Sequence, residues 1–197
     1  MATVSIVTPF EDAAATEPRA PFLVPAGDIL YEVVDDAIRE LPAMVAREAH
    51  LASTLSRILG SFTWNSSLGH VVIEMLFLLD RARNLQRRPD VAFVSFERWA
   101  RARPVPAEPA WNVVPNLAIE IVSPTTLANE IIEMIEDYFS SGVERVWVFY
   151  PSVAKVYDYE SPGSVRILAP GEVLSDSAMF PGLEIPVTDL FPSGVPK

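Results

Sequence analysis

The stretch from Pro115 to Pro151 constrains the chain most, because it sets one carboxylate inside the most strand-like run of the sequence. Leu117 to Val122 is apolar and rich in β-branched residues, the pattern of a strand buried on both faces. Glu120 lies within it. Ser123-Pro124-Thr125-Thr126 supplies a turn, and the hydrophobic period then changes from 2 to 3.6 over Ala128 to Ser141, which predicts a helix. Gly142 is the expected stop of that helix, and Val143 to Tyr150, closed by Pro151, reads as the next strand. The unit is strand, helix, strand. Glu120 either reaches water at a strand end or faces whatever the sheet holds, since a buried unpaired carboxylate is costly.

A second carboxylate occurs in a similar setting. Arg88-Pro89-Asp90-Val91-Ala92-Phe93-Val94 places Asp90 immediately before another apolar strand. Two acids at the ends of neighbouring buried strands repel each other unless a cation sits between them, and hard divalent ions prefer oxygen ligands. Composition narrows the choice of ion. The chain has no Cys and two His, His50 and His70, which argues against thiolate sites and histidine-based zinc sites. A formal charge of −11 disfavours non-specific adhesion to nucleic acid, so any DNA contact has to be local. Arg81, Arg83, Arg87, Arg88, Arg98, Arg101 and Arg103 cluster around Asp90 and offer such a patch; the alternative is a solvated surface pairing with the excess of acids.

With 197 residues, half of them hydrophobic, the chain suits one domain with a full core. Residues 1–27 read as an arm, loose or docked on a partner subunit, ahead of a domain over 28–191 and a tail at 192–197. Ile29 to Val34 and Ile38 to Leu41 predict a hairpin around Asp35-Asp36. Val45 to Phe62 carries a helical apolar stripe that includes His50, followed by a loop at Asn65-Ser66-Ser67. Val71 to Leu79 reads as one strand containing Glu74, residues 81–88 as a turn and Asp90 to Ser95 as a strand. The segment from Phe96 to Pro115, rich in Pro, Arg and Trp, reads as an irregular insertion that covers the site. Val153 to Tyr159 and Val165 to Leu168 predict an antiparallel pair, and Phe180 to Phe191 a short strand with a helical turn.

No secretory signal is evident at the N-terminus, and no apolar run is long enough to span a bilayer; a soluble cytoplasmic protein is expected. The phosphate-binding loop, the dinucleotide fingerprint, the zinc-protease motif and the serine-hydrolase elbow are all missing.

Tyr31-Glu32-Val33-Val34-Asp35, His50, Glu74, Arg88 to Val94, Leu117 to Pro124, Tyr138 with Gly142-Val143 and Trp147, and Phe180-Pro181-Gly182-Leu183 follow one another in an order and spacing that resembles the bacterial Uma-type restriction endonuclease family, a branch of the PD-(D/E)XK nucleases. The resemblance runs from about Asp28 to Phe191. It implies an α/β fold, a restriction-endonuclease-like mixed β-sheet flanked by helices in a single domain. It implies a divalent metal, Mg²⁺ or Mn²⁺, held by Asp90 and Glu120, with Glu32 as an additional catalytic acid and His50 and Glu74 at accessory positions. The implied chemistry is hydrolysis of DNA phosphodiester bonds, and a homodimer follows from the same resemblance.

Two positions depart from the family pattern. The family lysine aligns with Met134, at the edge of the helix's buried face, where a thioether cannot orient a water as an ammonium would. An arginine from the cluster around Asp90 is the one internal substitute. Asn116 replaces an acid and matters less. The departure leaves a competing expectation, a catalytically inactive nuclease-fold protein that binds nucleic acid or protein, and a third, a structural module assembling through its arm and C-terminal strands.

Overall fold

The computed structural model describes residues 4–7, 22–25 and 29–191. In chain order the elements are β1 (Val4–Val7), β2 (Phe22–Pro25), β3 (Tyr31–Val34), β4 (Ala37–Glu40), α1 (Ala46–Ser66), β5 (Gly69–Ile73), β6 (Phe77–Asp80), β7 (Leu85–Arg87) and β8 (Val91–Ser95). There follow β9 (Leu117–Ile121), α2 (Ala128–Ser140), β10 (Arg145–Tyr150), β11 (Lys155–Ser161), β12 (Ser164–Leu168), β13 (Val173–Leu174), β14 (Ile185–Pro186) and α3 (Val187–Leu190).

The main sheet has six strands in the order β12-β11-β10-β9-β8-β5. Only β9 and β10 run parallel in it, as a helical crossover requires; the other neighbours are antiparallel. A second, four-stranded antiparallel sheet has the order β4-β3-β7-β6. The expected mixed sheet flanked by helices is therefore present, with a smaller sheet beside it.

Alternation along the central strands separates two apolar layers. Leu117, Ile119 and Ile121 of β9 and Trp147 and Phe149 of β10 meet Leu51, Leu55 and Leu59 of α1 on one face. Leu55 and Leu59 are fully buried, each contributing about 2 to 3 kcal/mol of apolar burial. On the other face Ala92, Ala118, Val146 and Val148 meet Ile131, Ile135 and Tyr138 of α2, together with Val34, Phe77 and Leu85 of the smaller sheet. Glu120, two residues after Ala118, belongs to this second face.

Local chemistry sets the element ends. Glu48 reaches back to accept the Val45 N–H at 3.1 Å, which puts its negative charge in the first turn of α1. Gly142 ends α2 at φ +96°, with the Val143 N–H bonded to the Tyr138 carbonyl. Gly69 is required by close approach: a Cβ there would stand 2.2 Å from the Val94 carbonyl oxygen.

Several expectations change. The run 71–79 is two strands, β5 and β6, in different sheets, because Glu74 takes a left-handed conformation at φ +47° and turns the chain between them. The turn expected over 81–88 contains β7. Helix α1 continues through Asn65 and Ser66, where a loop was expected, and ends at Ser67 with φ +54°. The insertion after Phe96 is irregular as expected, yet its Trp99 and Trp111 are buried, and Trp111 bridges to Phe77 and stacks on it, so part of it is core. In the predicted arm, β1 and β2 pair antiparallel; its other residues, and the tail at 192–197, lie outside the described residues. Among the described residues no helix is long and apolar enough to cross a membrane.

Candidate functional site

Strand β8 brings Asp90 to Glu120. The last registered pair between β8 and β9 is Val91 with Ile119, so one step further sets Asp90 opposite Glu120. Asp90 Oδ2 accepts the Ile121 N–H at 2.6 Å, which fixes the carboxylate against β9. Glu120 Oε1 is bonded at 2.5 Å to the hydroxyl of Tyr138, itself fully buried on α2. Both carboxylates are half-buried.

Glu32 arrives from the smaller sheet. Its Oε2 accepts from Arg87 Nη1 at 2.7 Å and its Oε1 from the Arg88 N–H at 2.8 Å. Arg87, on β7, also donates Nη2 to Asp137 of α2 at 2.6 Å. A buried Glu32–Arg87–Asp137 chain thus ties β3, β7 and α2 together beside Glu120, and Arg83 adds a bond to Asp137 at 3.1 Å. Glu74 lies next to Asp90: its N–H donates to the Asp90 carbonyl at 3.1 Å and its own carbonyl accepts from Arg88.

The electrostatics divide the enclosed acids into two groups. Glu32, Asp137, Asp158 and Asp176 each hold an arginine, and Glu48 caps the positive end of α1. Asp90 and Glu120 have neither kind of partner among the described residues. Desolvation, with the charges of Glu74, Glu48 and Glu32 against the opposing Ile121 hydrogen bond, pushes Asp90 up to about 7. Desolvation likewise holds Glu120 well above the usual carboxylate range, helped by Asp90 and Glu32 and opposed by the Tyr138 bond and Arg87. Without a cation, ionisation of this pair is disfavoured. Arg87 goes the other way: against desolvation, Glu32 and Asp137 keep its guanidinium charged.

A hard divalent ion fits this donor set. The two carboxylates face each other, keep some solvent contact and lack a positive partner among the described residues. Among the described residues no three His, Cys, Asp or Glu side chains form a cage that could hold a metal by themselves. Two carboxylates, completed by water or phosphate oxygens, suit Mg²⁺ or Mn²⁺ better than zinc or a fully caged calcium.

Of the residues singled out from sequence, Asp90, Glu120, Glu32 and Glu74 come together. His50 does not join them: it is exposed on α1, and Glu48, two residues earlier and on the opposite side of the helix, is the buried one that acts on Asp90. Met134 is half-buried against the apolar layer, one turn before Tyr138. The arginine patch divides: Arg81, Arg83, Arg101 and Arg103 are exposed, and the other three are turned inward. Arg87 is buried, Arg88 is bonded to two carbonyls, and Arg98 is bonded to Glu144 and three carbonyls. Tyr138, Asp137 and Glu48 were not identified as site residues from the sequence. Tyr138 had a signal, its place on the helix face below Glu120; Asp137 lies in a run of helix acids that looks solvated, and Glu48 reads as a first-turn capping acid.

The fold is similar to that of a crystal structure described as "a putative nuclease belonging to DUF820" from Anabaena variabilis, with a TM-score of 0.75 over 86% of this chain and 93% of that one. Sequence identity is 16%, so the likeness is one of fold. Comparison with curated proteins gives no match. The Uma2 family model, described as "Putative restriction endonuclease", matches residues 22–188, and the chain belongs to that family.

Proposed function

We propose that the protein hydrolyses DNA phosphodiester bonds with Mg²⁺ or Mn²⁺ held by Asp90 and Glu120. The observation that carries this reading is the pair itself, two facing carboxylates without a positive partner in a fold that gives its buried acids an arginine or, for Glu48, a helix N-terminus. When bound, the ion would supply a Lewis acid for the scissile phosphate and lower the pKa of a coordinated water. The Ile121 N–H orients Asp90 and the Tyr138 hydroxyl orients Glu120. Both must be ionised to bind the ion, so loading releases protons and strengthens as pH rises through about 7. Glu32 holds Arg87 in place, which sets a fixed positive charge near Glu120.

Met134 favours a second reading, a weakened or inactive nuclease that binds nucleic acid or protein. No ammonium stands at its position, and Arg87, the cation that acts on Glu120, has its donors engaged by Glu32 and Asp137. Loss of one preorganised cationic donor costs about a hundredfold to a thousandfold in rate. A homodimer would suit the two-fold symmetry of duplex DNA, and sedimentation velocity measures it.

The test is cleavage of plasmid and single-stranded DNA with Mg²⁺ or Mn²⁺, beside Asp90→Ala and Met134→Lys. Cutting by wild type that Asp90→Ala abolishes supports the enzyme. Cutting only by Met134→Lys supports the weakened nuclease. Silence from every form, or cutting that survives Asp90→Ala, sinks the catalytic assignment.

A further inference from the structure

An aromatic and basic patch lies at the opposite end of β8 from Asp90, outside the carboxylate site. Trp64, in the last turn of α1, is 68% exposed. Arg57, seven residues earlier and exposed, shares its side of the helix. The Arg101 guanidinium lies 4.8 Å from the Trp64 ring centroid and 5.7 Å from that of Phe96. Arg103 sits 3.5 Å from the Trp99 ring, and His70 meets Phe96 edge-on at 5.0 Å. Glu97 is an exposed acid in the same segment. The guanidinium braces one side of the indole, while the exposure leaves apolar ring surface open to solvent.

In a chain of net charge −11, a local surface that joins flat aromatic area to arginines complements a ligand with flat rings and negative charge. We propose that Trp64, Phe96 and Arg101 form a stacking platform for a nucleic-acid strand with unpaired bases. A base stacks on the open indole face, and Arg57, Arg101 and Arg103 meet phosphates. Duplex DNA keeps its bases stacked inside and cannot use the indole. The platform adjoins the Gly69–Ser95 end of the β5–β8 pair, whereas Asp90 follows the Ile73–Val91 end. Strand rise of about 3.3 Å per residue separates these ends by about 13 Å, a span of about four nucleotides at about 3.4 Å each. The proposal deepens the nuclease reading, on which it rests for the use made of the strand, and involves none of the metal-site residues.

Binding is read by fluorescence anisotropy in EDTA, with labelled oligothymidylate of about twelve nucleotides and a duplex of equal length. Trp64→Ala, at an exposed position where the fold is retained, weakens single-strand binding about tenfold, and Trp64→Phe restores most of it. Arg101→Ala weakens binding and lowers the salt slope by about one. Binding that depends on Trp64 in a protein that never cuts would leave the platform standing and remove the catalytic reading. Absence of single-strand binding by wild type, equal binding by Trp64→Ala, or preference for the duplex would overturn the platform, whatever the cleavage result.

Discussion

Replacing Asp90 by Asn raises the stability of the metal-free protein at pH 8. The Asp90 pKa moves from 3.8 to about 7 on folding, and at about 1.36 kcal/mol per unit the charged form costs up to about 4 kcal/mol. The folded state holds the proton more tightly, so between about pH 4 and about pH 7 it binds more protons than the unfolded chain. Stability from this group is therefore present at low pH, declines across that window and stays low above it. The amide of the Asp90→Asn variant carries no charge yet keeps an oxygen for the Ile121 N–H. Allowing half the full value for retained solvent contact, the gain at pH 8 is about 2 kcal/mol, or about 4 to 8 °C in Tm for a chain of this size. Thermal melts in EDTA at pH 5 and pH 8 measure it. The Tm difference, variant minus wild type, should grow with pH, and Mg²⁺ or Mn²⁺ should raise only the wild-type Tm. A variant less stable than wild type at pH 8, with a difference independent of pH, would refute the reasoning.

Arg87→Met leaves Glu32 buried without its cation and Asp137 with Arg83 alone, and should cost about 3 to 5 kcal/mol in urea unfolding; a loss below about 1 kcal/mol would show that the chain Glu32–Arg87–Asp137 is not a structural clasp. Tyr138→Phe removes the hydroxyl that orients Glu120, and Mn²⁺ affinity by calorimetry should fall about tenfold to a hundredfold with the fold intact. Gly69→Ala puts a Cβ against the Val94 carbonyl and should destabilise by about 1 to 3 kcal/mol, read as a lower urea midpoint at unchanged m-value.

The sequence discloses structure where its signals are local. β9, α2 and β10 are legible because both faces of the strands are apolar, the period changes at α2, and a glycine, Gly142, stands at the left-handed stop. Asp90 and Glu120 are legible as charges in apolar runs. The break at Glu74 is hidden because apolar residues continue on both sides of it and the left-handed residue is a glutamate, which carries no turn signal. β7 is hidden for another reason. Its Arg87 is buried only because Glu32, 55 positions away, and Asp137, 50 positions away, neutralise it, and no window of sequence holds all three. His50 and Glu48 show the limit of position without contacts. Both lie on α1, yet the helix points them to opposite sides, and the acid rather than the imidazole faces the site.

The most direct test of the carboxylate pair is Mn²⁺ binding followed by electron paramagnetic resonance at pH 8, on wild type, Asp90→Asn and Glu120→Gln, all without DNA. The account predicts a bound-Mn²⁺ signal in wild type that is lost in each variant and that weakens in wild type as the pH is lowered to 5. A signal unchanged in either variant would place the cation elsewhere and contradict the assignment.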